Sequence, residues 1–216
     1  MSDGVIVLHG IFRTHRSMRG LAKFLEKSGF KILNLGYPST KHSIETLADI
    51  IHHDITQFTS QVSGQLHFVG YSMGGLLIRA YLNKYRPKKL GRVVMIGTPN
   101  QGSEVADFLQ AIKLYHWLYG PAGQQLITKQ DDFLHHFGKV DYELGIIAGN
   151  KPIDPISSRI IRKPNDGKVS IESTKLDGAK EHMIIPCSHT FFPANKRMWQ
   201  KTSCFLKHGQ FNLNGD

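Results

Sequence analysis

Cysteine is scarce in this chain of 216 residues, which contains only Cys187 and Cys204. Two cysteines are too few for a disulfide framework, so we expect two free thiols and a reducing compartment. The chain also lacks a cluster of His, Cys, Asp or Glu at a spacing that is typical of metal ligands. The sequence therefore predicts neither a disulfide-stabilised fold nor a metal site.

Long apolar runs are also absent, since no stretch approaches the ~20 residues that a membrane-spanning helix needs. Residues 1–3 lack the basic region of a secretory leader, and the apolar run at residues 5–8 is too short for the leader's hydrophobic core. We therefore expect no transmembrane segment and a cytoplasmic location.

Acidic residues are outnumbered, with 17 Asp and Glu against 27 Lys and Arg, which gives a formal charge of +10. A basic surface attracts anions, so we expect a weak attraction to anionic surfaces. The densest basic cluster, residues 79–92, surrounds the predicted end of a helix, where cations complement the helix dipole. No nucleic-acid-binding motif accompanies the charge, and we therefore expect no nucleic-acid partner.

Short apolar runs alternate with amphipathic helical patterns through the first half of the chain. The predicted strands are 5–8, 31–35, 66–69, 92–96, 144–148 and 182–185, and the main predicted helices are 17–28, 43–59, 73–85 and 193–206. Such alternation predicts an α/β fold with a mostly parallel sheet and helices on both faces. Because no repeat or low-complexity linker divides the chain, we expect one domain over residues 1–216.

Residues 104–145 interrupt this alternation with an apolar helical stripe over 104–117 and a Gly-Pro break at residues 120–121. Aromatic side chains are concentrated just before the break. We expect this region to form a small helical cap or acyl pocket in which Tyr115 and Trp117 contact the substrate. Packing of the same helix on the sheet is the alternative interpretation.

The run Gly-Tyr-Ser-Met-Gly-Gly at residues 70–75 carries the strongest chemical signal. It fits the pattern G-x-S-x-G between a predicted strand and a predicted helix, where a serine is forced onto a sharp turn. Small neighbours are needed there because a Cβ would clash with the adjacent backbone. The pattern predicts Ser72 as a nucleophile beside a helix amino terminus that favours negative charge.

A serine nucleophile needs a base and an acid, and in this kind of turn the acid and then the histidine follow the serine along the chain. His189 is the preferred base because it follows the last predicted strand and can reach over the end of the sheet. For the acid we favour Asp166, and Asp154 is the alternative. Asp177 is interpreted as a turn residue.

Acyl transfer also requires hydrogen-bond donors for a developing oxyanion. The backbone N–H of Met73 is predicted to supply one. The second is expected in the loop after the first strand, where the N–H of Ile11 is preferred and that of Phe12 is the alternative. His9 is interpreted as ordering this loop rather than as a base. Tyr71, which precedes the serine, is assigned to substrate binding.

These segments resemble the α/β-hydrolase superfamily, and within it the small bacterial lipases and esterases. The resemblance rests on residues 9–11, 70–75, 97–103 and 166–189. Residues 97–103 are similar to the Gly-Thr-Pro-His-x-Gly-Ser loop of lipases, with Asn100 in place of the histidine. The spacing between Asp166 and His189 is similar to the family's acid-to-base spacing, which supports Asp166 as the acid.

The resemblance implies an α/β-hydrolase fold and hydrolysis of small-molecule acyl esters, lipids included, without a cofactor. An acyl thioesterase or acyltransferase would use the same three residues, and an anionic thioester substrate would give the basic charge a role. A non-catalytic module that binds lipid or a partner is a third interpretation. The joint presence of Ser72, Asp166 and His189 disfavours it.

Overall fold

In the computed structural model of the protein, the described residues are 2–102, 121–122, 125, 137–153 and 161–213. The strands are β1 (Gly4–Leu8), β2 (Lys31–Leu35), β3 (Leu66–Tyr71), β4 (Leu90–Ile96), β5 (Leu144–Gly149) and β6 (Glu181–Ile185). The helices are α1 (Arg19–Lys27), α2 (Ile44–Ser60), α3 (Met73–Lys84), α4 (Ile171–Thr174) and α5 (Lys196–His208), with 3-10 helices at His15–Met18 and His189–Ala194. Across the described ranges, every helix is too short or too polar to span a bilayer.

The six strands form one parallel sheet in the order β2-β1-β3-β4-β5-β6. β1, β3 and β5 are buried along their whole length, as expected for parallel strands that are covered on both faces. The predicted α/β fold with a parallel sheet is therefore confirmed. Because all strands run in the same direction, the segments that follow them meet at one edge, which we call the carboxyl edge.

Each face of the sheet is covered by a pair of helices. α2 and α3 share one apolar core with strand residues that include Ile6 and Phe68. α1 and α5 share a second core with residues that include Val7 and Val94 on the opposite face. Neighbouring residues of β1 thus enter different cores, because successive side chains of a strand point to opposite faces.

Several element boundaries agree with the sequence prediction. β2 covers residues 31–35 as predicted, and α2 begins directly after Ser43, whose side chain accepts a hydrogen bond from the Thr46 N–H. The first predicted helix, 17–28, differs because its start belongs to the 3-10 helix His15–Met18 and α1 begins only at Arg19. Thr14, before the 3-10 helix, makes no side-chain capping hydrogen bond.

The predicted final helix at residues 193–206 also differs, because the segment divides into a 3-10 helix and α5. Pro193 lies within the 3-10 helix and has no N–H to donate to a longer α-helix. Asn195 then begins α5, since its Oδ1 accepts a hydrogen bond from the Met198 N–H at 2.9 Å. α5 ends at His208, and Gly209, with a φ of 72°, caps its carboxyl end.

Most of the predicted cap, including Tyr115 and Trp117, lies outside the described residues, and so does Asp154. Gln125, a described residue of this region, accepts a hydrogen bond through Oε1 from the Ile44 N–H at 2.8 Å. That contact connects position 125 to the amino terminus of α2. The assignment of a cap and an acyl pocket stays a prediction.

Candidate active site

Ser72 lies in the turn between β3 and α3 with a φ of 55° and a ψ of −125°, a conformation that residues with a Cβ rarely adopt. Two backbone hydrogen bonds hold this turn. The Ser72 N–H donates to the Ile96 carbonyl at 2.8 Å, and the Gly75 N–H donates to the Ser72 carbonyl at 3.0 Å. The predicted sharp turn at the end of the strand is therefore present.

Glycine is required at two positions around the serine. A Cβ on Gly70 would lie 2.6 Å from the Gly74 carbonyl carbon and from the Gly75 nitrogen. A Cβ on Gly74 would lie 2.6 Å from the Leu8 carbonyl oxygen in β1. Since all of these neighbours are backbone atoms, neither clash is relieved by a side-chain movement. The turn is thus packed directly between the strand that precedes it and the neighbouring strand β1.

His189 connects Ser72 to Asp166, although the three residues are far apart in the sequence. His189 Nε2 lies 3.0 Å from Ser72 Oγ, and His189 Nδ1 lies 2.7 Å from Asp166 Oδ2. Because an ionised carboxylate only accepts, the Nδ1–H donates to Asp166 Oδ2, and in the neutral imidazole Nε2 then faces Ser72 Oγ as an acceptor. This tautomer leaves Nε2 free to accept the serine proton.

Asp166 is held by its own loop. Its Oδ1 accepts hydrogen bonds from the Lys168 N–H at 2.9 Å and the Val169 N–H at 2.8 Å, while Oδ2 faces the imidazole. Its carbonyl also accepts from the His189 N–H at 2.9 Å. The side chain is only 1 % exposed. Asp166 therefore contacts the histidine through both its side chain and its backbone.

Tyr71 is the last residue of β3 and is only 2 % exposed. Its hydroxyl donates a hydrogen bond to the His189 carbonyl at 2.8 Å, and burial raises the pKa of this phenol. A Cβ on Gly10 would lie 3.2 Å from the Tyr71 ring. The side chain thus lies between the β1 loop and the histidine, a positioning contact that sequence reasoning missed. Its contact with substrate stays a prediction.

The loop after β1 approaches Ser72 closely at Gly10, where a Cβ would lie 3.0 Å from the Ser72 Cβ. The Arg13 N–H donates to the Gly10 carbonyl at 3.2 Å and closes a turn in which Phe12 has a φ of 57°. Ile11 lies inside this turn. The assignment of Ile11 or Phe12, together with Met73, as oxyanion donors stays a prediction.

His9 orders the same loop. Its Nδ1 donates to the Gly10 carbonyl at 2.8 Å, and its ring stacks on Tyr37 at a centroid distance of 4.1 Å. The Tyr37 hydroxyl donates to the His9 carbonyl in turn. Burial lowers the pKa of His9 and favours its neutral imidazole, whose Nε2 accepts from the Tyr37 N–H at 3.4 Å. These contacts agree with the predicted role of His9 in ordering the loop.

Gly97 directly follows β4, and because it has no side chain it leaves room for His189 and Asp166. Its φ is 56°, and a Cβ there would lie 3.1 Å from His189 Nδ1 and 3.3 Å from Asp166 Oδ2. The sequence signal for this role is a glycine directly after a buried strand. Asn100, in the same loop, donates through Nδ2 to the Thr174 carbonyl at 2.9 Å and joins the loop to α4.

His182 and Asp177 have surroundings that differ from those of His189 and Asp166. His182 lies in β6, where its Nε2 is 2.8 Å from Thr174 Oγ1 and burial lowers its pKa. Asp177 is exposed and precedes Gly178, which has a φ of 86°, so its interpretation as a turn residue is confirmed. In the part of the chain that the structure describes, no group of three or more His, Cys, Asp or Glu is placed to hold a metal ion.

The sequence profile of the α/β-hydrolase fold matches residues 4–134, which include the first four strands and the serine turn. This chain therefore belongs to the α/β-hydrolase fold family. Among curated proteins it is similar to a triacylglycerol lipase of Pseudomonas fragi, with 27% identity over 112 residues. The matched region is 49% of this chain and 38% of the lipase, so the alignment spans well under half of that relative.

Solved structures of lipases and esterases share the fold. The Bacillus licheniformis lipase BlEst2 in its propeptide form has a TM-score of 0.74 at 19% identity, over 100% of this chain and 52% of that one. A metagenomic carboxyl esterase, MGS0156, has a TM-score of 0.72 at 16% identity, over 88% of this chain and 65% of that one. The present chain thus spans about half of the BlEst2 propeptide form.

Proposed function

We propose that this protein hydrolyses carboxylic esters through an acyl-serine intermediate. The observation that carries the proposal is the hydrogen-bonded series from Ser72 Oγ through the imidazole of His189 to Asp166 Oδ2, at 3.0 and 2.7 Å. A serine hydroxyl is a weak nucleophile until a base removes its proton, and this series supplies a base with a fixed tautomer.

In the first half of the reaction, Ser72 Oγ attacks the ester carbonyl carbon while His189 Nε2 accepts the hydroxyl proton. The carbonyl oxygen becomes an oxyanion, which the N–H groups of Met73 and Ile11, or alternatively Phe12, stabilise. The bond from the carbonyl carbon to the alcohol oxygen then breaks, and His189 gives its proton to the leaving alcohol. The acyl group remains on Ser72.

In the second half, a water molecule takes the place of the alcohol. His189 accepts a proton from the water as its oxygen attacks the acyl carbon, and the bond to Ser72 Oγ breaks. The proton returns to Ser72 and the carboxylic acid leaves. Through both halves Asp166 stabilises the imidazolium and keeps the proton on Nδ1.

Two similar proteins support the choice of substrate class, since one is a triacylglycerol lipase and the other a carboxyl esterase. We therefore propose an ester of a carboxylic acid, with lipid esters included, as the substrate. The family chemistry needs no cofactor, because the nucleophile, the base and the acid are side chains of this chain.

The proposal is tested with p-nitrophenyl esters of increasing acyl length and the variant Ser72→Ala. We expect turnover to fall at least about 10⁴-fold, because the acyl intermediate cannot form without the Ser72 hydroxyl. A fluorophosphonate probe is expected to label the native protein and not the variant. Ser60→Ala is the matched control, since Ser60 is exposed and its Oγ only donates to the Gln57 carbonyl.

Two outcomes would contradict the proposal. Wild-type turnover by Ser72→Ala would exclude the serine mechanism, and equal probe labelling of both serine variants would exclude Ser72 as the nucleophile.

Thioesters with the same acyl groups belong in the same panel. Faster turnover of a thioester than of its matched ester, lost in Ser72→Ala, would reassign the leaving group and keep the acyl-serine.

A further inference from the structure

The positive charge of this protein is not spread evenly along the chain. Residues 4–25 contain four Lys and Arg and no Asp or Glu, and residues 182–215 again contain four and none. The remaining residues carry 19 Lys and Arg against 17 Asp and Glu, so they are close to neutral. Most of the formal charge of +10 therefore comes from two segments that are distant in the sequence.

The fold brings these two segments together. The 3-10 helix His15–Met18 contacts the 3-10 helix His189–Ala194, and α1 packs on α5. The two α-helices approach closely, since a Cβ on Gly20 would lie 2.7 Å from the Trp199 ring. Both 3-10 helices come shortly after strands, β1 and β6, so α1 and α5 begin at the carboxyl edge of the sheet, where Ser72 also lies.

Five exposed cations surround this junction, and we call them the basic rim: Arg13, Arg16, Arg19, Lys196 and Arg197. None of the five forms an ion pair with another residue of the described ranges. Arg19 and the Lys196–Arg197 pair stand in the first turns of α1 and α5, which contain no acidic residue. Cations at that end of an α-helix oppose the helix dipole, so helix stability does not account for these three cations.

Two large aromatic side chains are exposed on the same segments. Phe12, in the loop after β1, is 50% exposed, and Phe191, in the 3-10 helix that begins at His189, is 57% exposed. Exposed cations beside exposed aromatic rings match the surface of an anionic bilayer, where cations meet the headgroups and rings enter the boundary with the acyl chains.

We propose that the basic rim docks this protein on anionic phospholipid bilayers, with Phe12 and Phe191 entering the headgroup boundary. Docking in this orientation turns the carboxyl edge, and with it Ser72, toward the lipid. The inference goes beyond the proposed function, because binding to a bilayer is measured without any turnover.

The test uses the full chain with Ser72→Ala, so that the lipid is not consumed during the measurement. Co-sedimentation is compared for vesicles of phosphatidylcholine alone and for an equimolar mixture with phosphatidylserine. We expect at least about 100-fold tighter binding to the anionic vesicles, and this preference is expected to disappear in high salt. Equal binding to both kinds of vesicle would overturn the proposal.

The basic rim itself is tested by Arg16→Gln, Arg19→Gln and Arg197→Gln combined in one variant. Each Lys or Arg near an anionic surface contributes about fivefold in binding, so we expect a loss of about 100-fold. With Ser72 intact, turnover of a short soluble ester is expected to be unchanged, which verifies that the variant folds.

A control variant removes the same number of charges at the opposite edge of the sheet. It combines Lys88→Gln and Lys89→Gln, which precede β4, with Lys139→Gln, which precedes β5; all three are exposed. We expect its binding to anionic vesicles to fall less than about threefold. Equal losses in the two triple variants would mean that only net charge matters and would overturn the docking surface.

The aromatic contribution and the chemistry of the partner have separate tests. Phe191→Ala is expected to weaken binding to anionic vesicles about three- to tenfold, because less apolar surface is buried. A variant that binds as well as the native chain would remove Phe191 from the docking surface.

Duplex DNA at equal phosphate concentration is expected to bind less tightly than the vesicles, and tighter binding to DNA would overturn the choice of a bilayer.

Discussion

Ser72 adopts a φ of 55° that costs a residue with a Cβ about 1–3 kcal/mol. The surrounding backbone holds it there, because Gly70 and Gly74 contact neighbouring main-chain atoms at distances that leave no room for a Cβ. The strain is therefore tied to the packing of β3, α3 and β1. This conformation places the Ser72 hydroxyl within hydrogen-bond distance of His189 Nε2.

Tyr71 is expected to position His189, and Tyr71→Phe tests this contact. Loss of the hydroxyl leaves the His189 carbonyl without its buried donor, so we expect a loss of about 1–3 kcal/mol in the free energy of unfolding. With His189 less well held, kcat on a soluble ester is expected to fall about tenfold with little change in KM. The two readouts are urea denaturation and steady-state kinetics.

Tyr85→Phe is the matched control for that substitution. The Tyr85 hydroxyl donates to Asp49 near the other end of α3, in an exposed hydrogen bond away from the carboxyl edge. We expect little change in stability and none in kcat. If Tyr71→Phe changed KM and left kcat unaltered, the side chain would contact substrate instead of positioning the base.

At the scale of elements, the sequence predicts those parts of the fold that carry their own local signal. β2 is a short run between turn residues, and α2 has an apolar stripe and a serine cap, so both are predicted nearly to the residue. The Ser72 turn is predictable for the same reason, since its glycines are local. Ser72, Asp166 and His189 are predicted from their order along the chain, and their side chains lie within hydrogen-bond distance in the structure.

Contacts between distant segments are not visible in such local patterns. The hydroxyl of Tyr71 meets a carbonyl 118 positions further along the chain, and nothing near Tyr71 indicates whether it faces substrate or protein. The division of the last predicted helix into a 3-10 helix and α5 also depends on packing. Phe192, next to Pro193 in the 3-10 helix, is fully buried, and α5 then begins with a cap of its own. Those features follow from packing that forms only after the sheet is assembled.

The cap of α5 gives a prediction at this scale. Asn195→Ala removes the acceptor for the Met198 N–H and is expected to lower the free energy of unfolding by about 1 kcal/mol. Asn195→Asp keeps an acceptor and is expected to restore the native value. Urea denaturation measures both changes. Asn212→Ala, at an exposed position after α5, is the control with an expected change below about 0.5 kcal/mol.

An unchanged stability in Asn195→Ala would show that α5 begins independently of this side chain. A loss that Asn195→Asp does not recover would instead indicate that the amide nitrogen, rather than the oxygen, makes the important contact.

At the scale of the whole molecule, two buried histidines and one half-buried histidine couple stability to pH. Burial lowers the pKa of His9, His67 and His182. In the unfolded chain an imidazole regains its ordinary pKa of about 6.5, so below that pH the unfolded state binds more protons than the folded state. The free energy of unfolding contributed by these residues is therefore retained above pH 6.5 and falls as the pH drops further.

The pH dependence is tested with His182→Gln, which keeps a polar side chain beside Thr174 and removes one titrating group. We expect a smaller loss of stability between about pH 7.5 and pH 5.5 than in the native chain, measured by urea denaturation. His208→Gln, at an exposed position, is expected to behave as the native chain does. If both variants lost as much stability as the native chain, His182 would have no part in the effect.

Ser72 and His189 are 117 positions apart, and the histidine follows β6, an edge strand that pairs with β5. During synthesis Ser72 therefore leaves the ribosome long before His189. Under the proposed mechanism, a nascent chain that has folded β1 to β4 holds a serine that does not yet react. Ester hydrolysis then begins only when β6 has paired with β5 and brought His189 to Ser72. Measured activity therefore also indicates that β6, the last described strand, has joined the sheet.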